Sequence, residues 1–199
     1  MTYSQYDEIA DKYDNIFRDE RSLVENREVG DMLPPLSGSI LDIGCGTGLL
    51  TEIHNVSPND YLGIDPSIGM LSQFKAKHPE FSDKLINSPF TGHNLDSKKF
   101  DNIVALFGSP SYLSGYALIA ISKSKAKKFL MFYKEDYHPV TYEKCKVEFR
   151  HNIYSKKVLA HLFGENSISE YHNYIIVNDY ETERFKFALQ QKLTFTQGS

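Results

Sequence analysis

Three glycines and one aspartate give the first indication of chemistry in this chain. Gly44, Gly46 and Gly48 follow the apolar stretch 40–43 directly, and Asp65 follows a second apolar stretch, 61–64. Glycine lets backbone approach a ligand closely, and the N–H groups of a helix that follows face a negative group. A carboxylate at the second position can accept hydrogen bonds from two ribose hydroxyls. The spacing predicts a nucleotide-like ligand; the alternative is a tight turn and a helix cap.

A sheet is needed to bring these residues to one edge. Apolar segments at 39–43, 61–64, 84–87, 100–106 and 129–133 are interpreted as strands that alternate with helices at 49–53, 65–78, 112–121 and 155–163. Two more helices precede Pro34, and segments 174–177 and 185–189 have the pattern of paired antiparallel strands. We therefore expect an α/β, Rossmann-like, mostly parallel seven-stranded sheet with helices on both faces and a C-terminal antiparallel hairpin.

The third glycine distinguishes between kinds of nucleotide loop. The dinucleotide fingerprint G-x-G-x-x-G would need glycine or alanine at position 49, where this chain has Leu49. The loop is instead G-x-G-x-G, and the stretch 40–48 resembles the first motif of class I S-adenosylmethionine-dependent methyltransferases. Segments 62–71 and 100–104 resemble their second and fourth-strand motifs. Segment 6–14 is similar to the opening helix of many members that act on small molecules.

The resemblance implies that S-adenosylmethionine is the cofactor and S-adenosylhomocysteine the product. In such a protein the glycine loop cradles the methionine part, the acid of the first strand braces that loop, and the acid of the second strand holds the ribose. Tyr13 either reaches the cofactor's carboxylate or only packs under the sheet. The cofactor positions that the resemblance assigns are Tyr13, Asp42, Gly44, Cys45, Gly46, Gly48, Asp65, Pro66, Met70, Ser88, Phe90, Leu106 and Phe107.

The adenine side departs from the family pattern. Members usually carry an acid after the third strand that accepts a hydrogen bond from the adenine amino group, but this chain has Asn87-Ser88-Pro89-Phe90. Ser88 can accept that bond with its hydroxyl oxygen, whereas Pro89 has no N–H to offer the ring. Adenine recognition is therefore the weakest part of the predicted site.

Methyl transfer is an in-line displacement, so the protein mainly holds the acceptor and the methyl group in line. Oxygen or protonated nitrogen acceptors must also lose a proton. Ser109 and Tyr112 lie in a loop that resembles the acceptor loop of small-molecule methyltransferases, although a turn with a serine cap is an equal alternative. His138, after the fifth strand, is the preferred general base, with a surface histidine as the alternative.

Composition favours a small-molecule acceptor. The 199 residues carry a net charge of -4 and a pI near 6.0, which disfavours a nucleic-acid partner. We expect methyl transfer to a nitrogen or oxygen of a small molecule; the alternatives are a tRNA or protein methyltransferase and a protein that binds the cofactor without methylating. No metal-binding pattern is evident. The lysine run 123–128 is interpreted as a solvated helix end.

The division of the chain is expected to be simple. One domain over 1–199 would comprise a helical cap (1–35), the cofactor-binding core (36–134) and an acceptor-side insertion with the last helix and hairpin (135–199). The segment 139–152 suggests a lid or a contact in a homodimer. A polar N-terminus, two cysteines and short apolar runs lead us to expect a cytoplasmic protein that does not span a membrane.

Overall fold

The core of the molecule is a seven-stranded sheet. In the computed structural model, the described residues are 4–95, 99–134, 146–147 and 149–180. The strand order is β3-β2-β1-β4-β5-β7-β6. The strands are β1 (Ile40–Ile43), β2 (Tyr61–Asp65), β3 (Leu85–Asn87), β4 (Asn102–Ala105), β5 (Lys127–Tyr133), β6 (Ile168–Tyr171) and β7 (Tyr174–Asn178).

Strand direction creates the crevice where a ligand can bind. Strands β1 to β5 are mutually parallel, and β7 runs antiparallel to both β5 and β6. The chain order reverses between the neighbours β1 and β4, since β2 and β3 lie on one side and β5 on the other. Ligands of open α/β sheets bind outside the carboxyl ends of the strands at such a switch point.

Seven helices accompany the sheet. Within the described residues they are α1 (Ser4–Asp7), α2 (Tyr13–Ile16), α3 (Glu20–Met32), α4 (Leu49–Ile53), α5 (Ile68–Lys77), α6 (Gly115–Lys123) and α7 (Lys156–Phe163). Capping side chains define four helix starts, because each accepts a hydrogen bond from a backbone N–H in the first turn. These caps are Asp19, Ser67, Ser114 and Ser155.

Two hydrophobic cores cover the two faces of the sheet. On one face, residues of α3, α4 and α5 pack against the strands, with Phe74 of α5 fully buried. On the other face, residues of α6 and α7 do the same, with Leu118 and Leu159 fully buried. This confirms the predicted α/β architecture with helices on both faces. Among the described helices, none is long and apolar enough to cross a membrane.

The terminal hairpin differs in detail from the prediction. The strand expected at 174–177 is present as β7, but its antiparallel partners are β5 and β6. The segment 185–189, expected to pair with it, lies outside the described residues. The partner β6 has the mixed sequence Ile-Ser-Glu-Tyr, so no apolar run in the sequence predicts this strand. Pairing with β7 decides its structure.

Three other expectations need correction. The N-terminal region forms two single-turn helices and then α3, because the one long amphipathic stretch begins only after the Asp19 cap. The helix expected from 112 begins at Gly115, since Ser114 caps it. The lysine run is not all solvated: β5 begins at Lys127, and Lys128 is buried with its Nζ 3.1 Å from Asp179.

The amino ends of the strands are held together by Asn102. Its buried side-chain amide donates to the carbonyls of Ser37 (2.8 Å) and Ser39 (3.3 Å), and its oxygen accepts from the Tyr180 hydroxyl (2.7 Å). These bonds join β4 to the residues before β1 and after β7. They lie at the edge of the sheet opposite to the switch-point crevice.

We predict that Asn102→Ala lowers the free energy of unfolding by about 2–3 kcal/mol, because buried partners lose their hydrogen bonds. Urea denaturation followed by circular dichroism measures this loss. Tyr180→Phe removes only one of the bonds and should cost about 1 kcal/mol. Equal losses in the two variants would show that Asn102 does not act as the shared anchor.

Candidate functional site

A cavity of about 570 Å³ opens at the carboxyl ends of the parallel strands. Its floor is formed by the loops that follow β1, β2 and β4. Helices α2 and α3 and the turn between β6 and β7 form the walls, and α1 adds Tyr6. A volume of this size is typical of small-molecule and cofactor sites.

The loop after β1 is held in shape by hydrogen bonds that its backbone N–H groups donate. The Gly44 N–H donates to the Ile64 carbonyl (2.8 Å), and the Gly48 N–H donates to the Cys45 carbonyl (3.0 Å). The Gly46 N–H donates to Oδ2 of Asp65 (2.9 Å). The loop is therefore fixed to the end of β2 before any ligand arrives.

The glycines of this loop have different neighbours. A Cβ on Gly48 would lie 2.7 Å from the Phe74 ring, whereas a Cβ on Gly46 would meet no atom within 4 Å. Both have positive φ, +98° at Gly48 and +54° at Gly46. Gly46 lines the cavity and Gly48 does not. Gly48 thus permits packing against α5, while Gly46 keeps the ligand space open.

Asp65 connects the loops after β1 and β2. Its Oδ1 accepts a hydrogen bond from the Ser67 N–H (2.8 Å), and its Oδ2 accepts the hydrogen bond from the Gly46 N–H. Ser67, not Asp65, caps α5, so the carboxylate keeps a second lone pair on each oxygen for a ligand in the cavity. Burial raises the pKa of Asp65 to about 6, although these two backbone bonds oppose the shift.

Asp42 is the second acid under the cavity floor. It is 2% exposed, and its Oδ2 accepts a hydrogen bond from the Tyr61 hydroxyl (2.8 Å). Burial raises the pKa of Asp42 to about 7, the Tyr61 bond lowers it, and the nearby Asp65 charge raises it further. Two buried acids on the same floor favour a ligand that brings positive charge.

The N-terminal segment is fastened to both loops by carboxylates. Asp7 accepts from the Ser67 hydroxyl (2.6 Å) and from the Gly69 N–H (2.9 Å). Asp14 accepts from the Thr47 hydroxyl (2.6 Å) and pairs with Lys77 (2.7 Å). These contacts place the rings of α1 and α2 beside the cavity.

Aromatic rings enclose the end of the cavity beyond β4 and β5. The Tyr6 hydroxyl donates to the Tyr112 hydroxyl (3.0 Å). The rings of Tyr133 and Tyr174 are stacked with centroids 5.4 Å apart, and Phe107 meets Tyr174 edge-on at 5.9 Å. All five side chains line the cavity. The cavity thus has an acidic floor at the switch point and an aromatic end.

Comparison with known proteins agrees with this geometry. A family model described as a methyltransferase domain matches residues 40–124. These residues contain β1 to β4, both loops and α6. Residues 40–124 therefore match a methyltransferase domain. This match agrees with the methyltransferase motifs predicted in the sequence, and the predicted Rossmann-like fold is confirmed.

Relatives of known structure share the fold at low identity. An S-adenosylmethionine-dependent methyltransferase of Thermotoga maritima, described as a possible histamine N-methyltransferase, is 18% identical with a TM-score of 0.58, covering 84% of this chain and 81% of its own. The magnesium protoporphyrin IX methyltransferase of Synechocystis, solved with bound S-adenosylhomocysteine, is 15% identical with a TM-score of 0.51, covering 84% and 91%.

A curated relative of known sequence matches over a shorter region. An uncharacterized protein of Methanocaldococcus jannaschii is 28% identical over 109 residues, which cover 52% of this chain. The chain spans 39% of that relative's length.

Most residues predicted to contact the cofactor converge on the cavity of this methyltransferase domain. Ser109 and Tyr112, predicted to act on the acceptor, line it too. Gly48 and Ser88 do not line it, since Gly48 packs on Phe74 and the Ser88 hydroxyl donates to the Pro89 carbonyl. His138 lies outside the described residues. The predicted cofactor residues that line the cavity are Tyr13, Asp42, Gly44, Cys45, Gly46, Asp65, Pro66, Met70, Phe90, Leu106 and Phe107.

Sequence reasoning missed several residues of the site. Asp7 and Asp14 lie in the segment 6–14 that resembles the family's opening helix, so this motif contained a signal for them. Tyr133 and Tyr174 were recognised only as strand residues, and Glu25 only as part of a helical region. No local pattern marks these three, because the fold brings them together from β5, β7 and α3.

Alanine substitutions can separate the two glycine roles. We predict that Gly48→Ala lowers the free energy of unfolding by about 2–4 kcal/mol, from the clash with Phe74 and the positive φ. Gly46→Ala should cost only about 1 kcal/mol, because only the backbone conformation is strained. It should nevertheless weaken S-adenosylhomocysteine binding at least tenfold, since the methyl enters ligand space.

Thermal unfolding and calorimetric titration measure these two effects. The assignment fails if Gly46→Ala binds S-adenosylhomocysteine normally or if Gly48→Ala is as stable as the parent protein.

Asp42 should make stability depend on pH. The folded chain holds its proton up to about pH 7, whereas an unfolded aspartate loses it near about pH 4. The folded state therefore binds more protons in this window, and the free energy of unfolding falls as pH rises through it. We predict that Asp42→Asn removes part of this fall and is more stable than the parent at pH 8, by on the order of 2 kcal/mol.

Urea denaturation from pH 5 to pH 8 tests this, with the exposed Asp83→Asn as control. A parent protein whose stability rises over this range, or an Asp42→Asn variant that is less stable at pH 8, would contradict it.

Proposed function

We propose that this protein transfers a methyl group from S-adenosylmethionine to a nitrogen or oxygen of a small-molecule acceptor. The observation that carries the proposal is the pairing of the glycine loop with Asp65 in a methyltransferase domain. Asp65 joins Gly46 to the end of β2 at the switch point and lines the cavity. The related structure with bound S-adenosylhomocysteine supports this cofactor.

The residues of the cavity fit this cofactor. Gly46 leaves open space for the methionine part, and Asp65 has lone pairs for the ribose hydroxyls. The cofactor carries a sulfonium and an ammonium group, and the buried acids Asp42 and Asp65 favour positive charge. Pro66, Met70 and Phe90 provide apolar walls for the adenine.

The cofactor supplies an electrophilic methyl group, so the protein's work is orientation and exclusion of water. The Ser109 hydroxyl donates to the Gly44 carbonyl (3.2 Å), which links the loop after β4 to the glycine loop. Burial raises the pKa of Tyr112 to about 12, while its bond with Tyr6 lowers it. Tyr112 is therefore protonated at neutral pH and positions the acceptor by hydrogen bonding instead of removing its proton.

A small acceptor suits the shape and charge of the molecule. The rings of Tyr6, Tyr112, Tyr133 and Tyr174 enclose the acceptor end, leaving little room for a folded macromolecule. The lysines at the start of β5 lie at the opposite edge of the sheet from the cavity. A nucleic acid held by them would not reach the methyl group.

The test uses S-adenosylmethionine labelled on its methyl group, incubated with the protein and an extract of its native cells. We predict that label appears in the small-molecule fraction, and that Asp65→Asn lowers both this transfer and S-adenosylhomocysteine affinity at least tenfold, because ribose contacts are lost. Asp83→Asn, an exposed aspartate remote from the cavity, is the control and should change neither.

Each other outcome contradicts part of the proposal. Label in the RNA or protein fraction would show that the methyl acceptor is a macromolecule and not a small molecule. Binding of S-adenosylhomocysteine without transfer to any fraction would favour a protein that binds the cofactor without methylating. If S-adenosylhomocysteine does not bind at all, S-adenosylmethionine is not the cofactor of this protein.

A further inference from the structure

Lys77, the last residue of α5, lies where three helices meet. Its Nζ is 2.7 Å from Oδ2 of Asp14 in α2 and 2.6 Å from Oε1 of Glu52 in α4. The Lys77 side chain is only 28% exposed, and it lines the cavity together with both acids. One positive charge therefore joins α5 to the helix that follows the glycine loop and to the N-terminal segment.

Asp14 uses its two carboxylate oxygens for two different partners. Its Oδ1 accepts a hydrogen bond from the Thr47 hydroxyl (2.6 Å), while its Oδ2 pairs with Lys77. Thr47 lies between Gly46 and Gly48 and is 4% exposed, so the carboxylate rests against a buried part of the loop. A carboxylate that gives up water at such a place needs a positive partner. Lys77 supplies this charge.

The position of α2 depends on these polar contacts. None of the four residues of α2 is buried, and Tyr13 and Ile16 are only partly covered. Just before α2, Ile9 and Ala10 are buried in a cluster with Met70 of α5. Apolar burial thus holds α2 less firmly than the residues before it, which leaves the Asp14 contacts to set its place beside the glycine loop.

We infer that Lys77 is a positioning residue for the cofactor, because it holds the Asp14 carboxylate on the Thr47 hydroxyl. The inference rests on the proposed function for the identity of the ligand. Lys77 acts through Asp14, so its ammonium group holds α2 and the glycine loop in the geometry that binds the cofactor without contacting the cofactor itself.

The effect on binding follows from preorganisation of the loop. Before a ligand arrives, the loop is attached at Gly46 to Asp65 and at Thr47 to Asp14. Without Lys77, the Asp14 carboxylate regains water by turning toward solvent, and Thr47 loses its acceptor. A ligand must then order the loop and α2 again, which weakens its binding. The bound complex has the same geometry as before, so the chemical step keeps its rate.

Calorimetric titration with S-adenosylhomocysteine tests this role. In Lys77→Met a side chain of similar length remains without the charge, and we predict about fivefold weaker binding, near the upper limit for a partly exposed ion pair. Lys77→Arg keeps the charge and should restore most of the affinity. Lys75→Met, on an exposed site of the same helix outside the cavity, is the matched control and should bind as the parent protein does.

A double-mutant cycle shows whether Lys77 acts through Asp14. In Asp14→Asn the side-chain oxygen can still accept from Thr47, but the ion pair is lost. We predict that Asp14→Asn, Lys77→Met and the double variant all bind S-adenosylhomocysteine about fivefold more weakly than the parent. Independent losses that multiply to about 25-fold in the double variant would mean that Lys77 contacts the ligand directly, and would overturn the inference.

Tryptic cleavage of the ligand-free protein reports on α2 without any cofactor. Lys12 and Arg18 flank α2 and are both exposed. We predict that Lys77→Met is cleaved at these two sites about fivefold faster than the parent, because α2 leaves the loop more often. Lys75→Met should be cleaved at the parent's rate, and the thermal midpoints of all three proteins should agree.

Each other result overturns a defined claim. Unchanged affinity in Lys77→Met removes the positioning role, and a lowered thermal midpoint with faster cleavage throughout the chain would show a general structural role instead. In the transfer assay, Lys77→Met should raise the KM for S-adenosylmethionine and leave kcat unchanged, and a fall in kcat alone would contradict the argument. If the parent protein fails to bind S-adenosylhomocysteine, the proposed function fails and the cofactor role of Lys77 with it, whereas the cleavage rates still report on the contact between α2 and the loop.

Discussion

The hydrogen bond from the Gly46 N–H to the Asp65 carboxylate is the contact on which the site depends. Pairing of β1 with β2 brings both loops to the same edge, but it fixes only the points at which they leave the sheet. The Asp65 bond fixes the loops to each other. Each oxygen of the Asp65 carboxylate uses one lone pair for these backbone hydrogen bonds, so the carboxylate can still accept hydrogen bonds from a ligand. Structural and binding roles thus fall on one side chain.

The N-terminal segment repeats this arrangement from the solvent side. Asp7 binds the start of α5 and Asp14 binds the glycine loop, so α1 and α2 are attached to the loops that follow β2 and β1. The same short segment carries Tyr6 and Tyr13 to the aromatic end. On the proposed function, the aromatic end of the cavity is therefore held in a fixed position relative to the loops assigned to the cofactor, which suits a reaction that needs two ligands in line.

The sequence predicted those features that depend on local order. Strands β1 to β5, the glycine loop and the acids Asp42 and Asp65 each follow from a short motif at a regular spacing. Strand β6 and the aromatic end of the cavity did not, because Tyr133 and Tyr174 become neighbours only when β5 pairs with β7. The cap of α5 also needed the structure: Asp65 and Ser67 are both good capping residues, and only the geometry of the loop shows that Ser67 takes this role.

The buried acids on the floor of the cavity fit a ligand that carries positive charge. Asp42 and Asp65 are costly to ionise inside the folded chain, as the raised pKa values show, and such a cost persists where binding requires it. On the proposed function, methyl transfer neutralises the sulfur of the cofactor, so the attraction between the sulfonium and these acids is lost in the product. The charge distribution of the cavity therefore favours binding the charged cofactor over its neutral product.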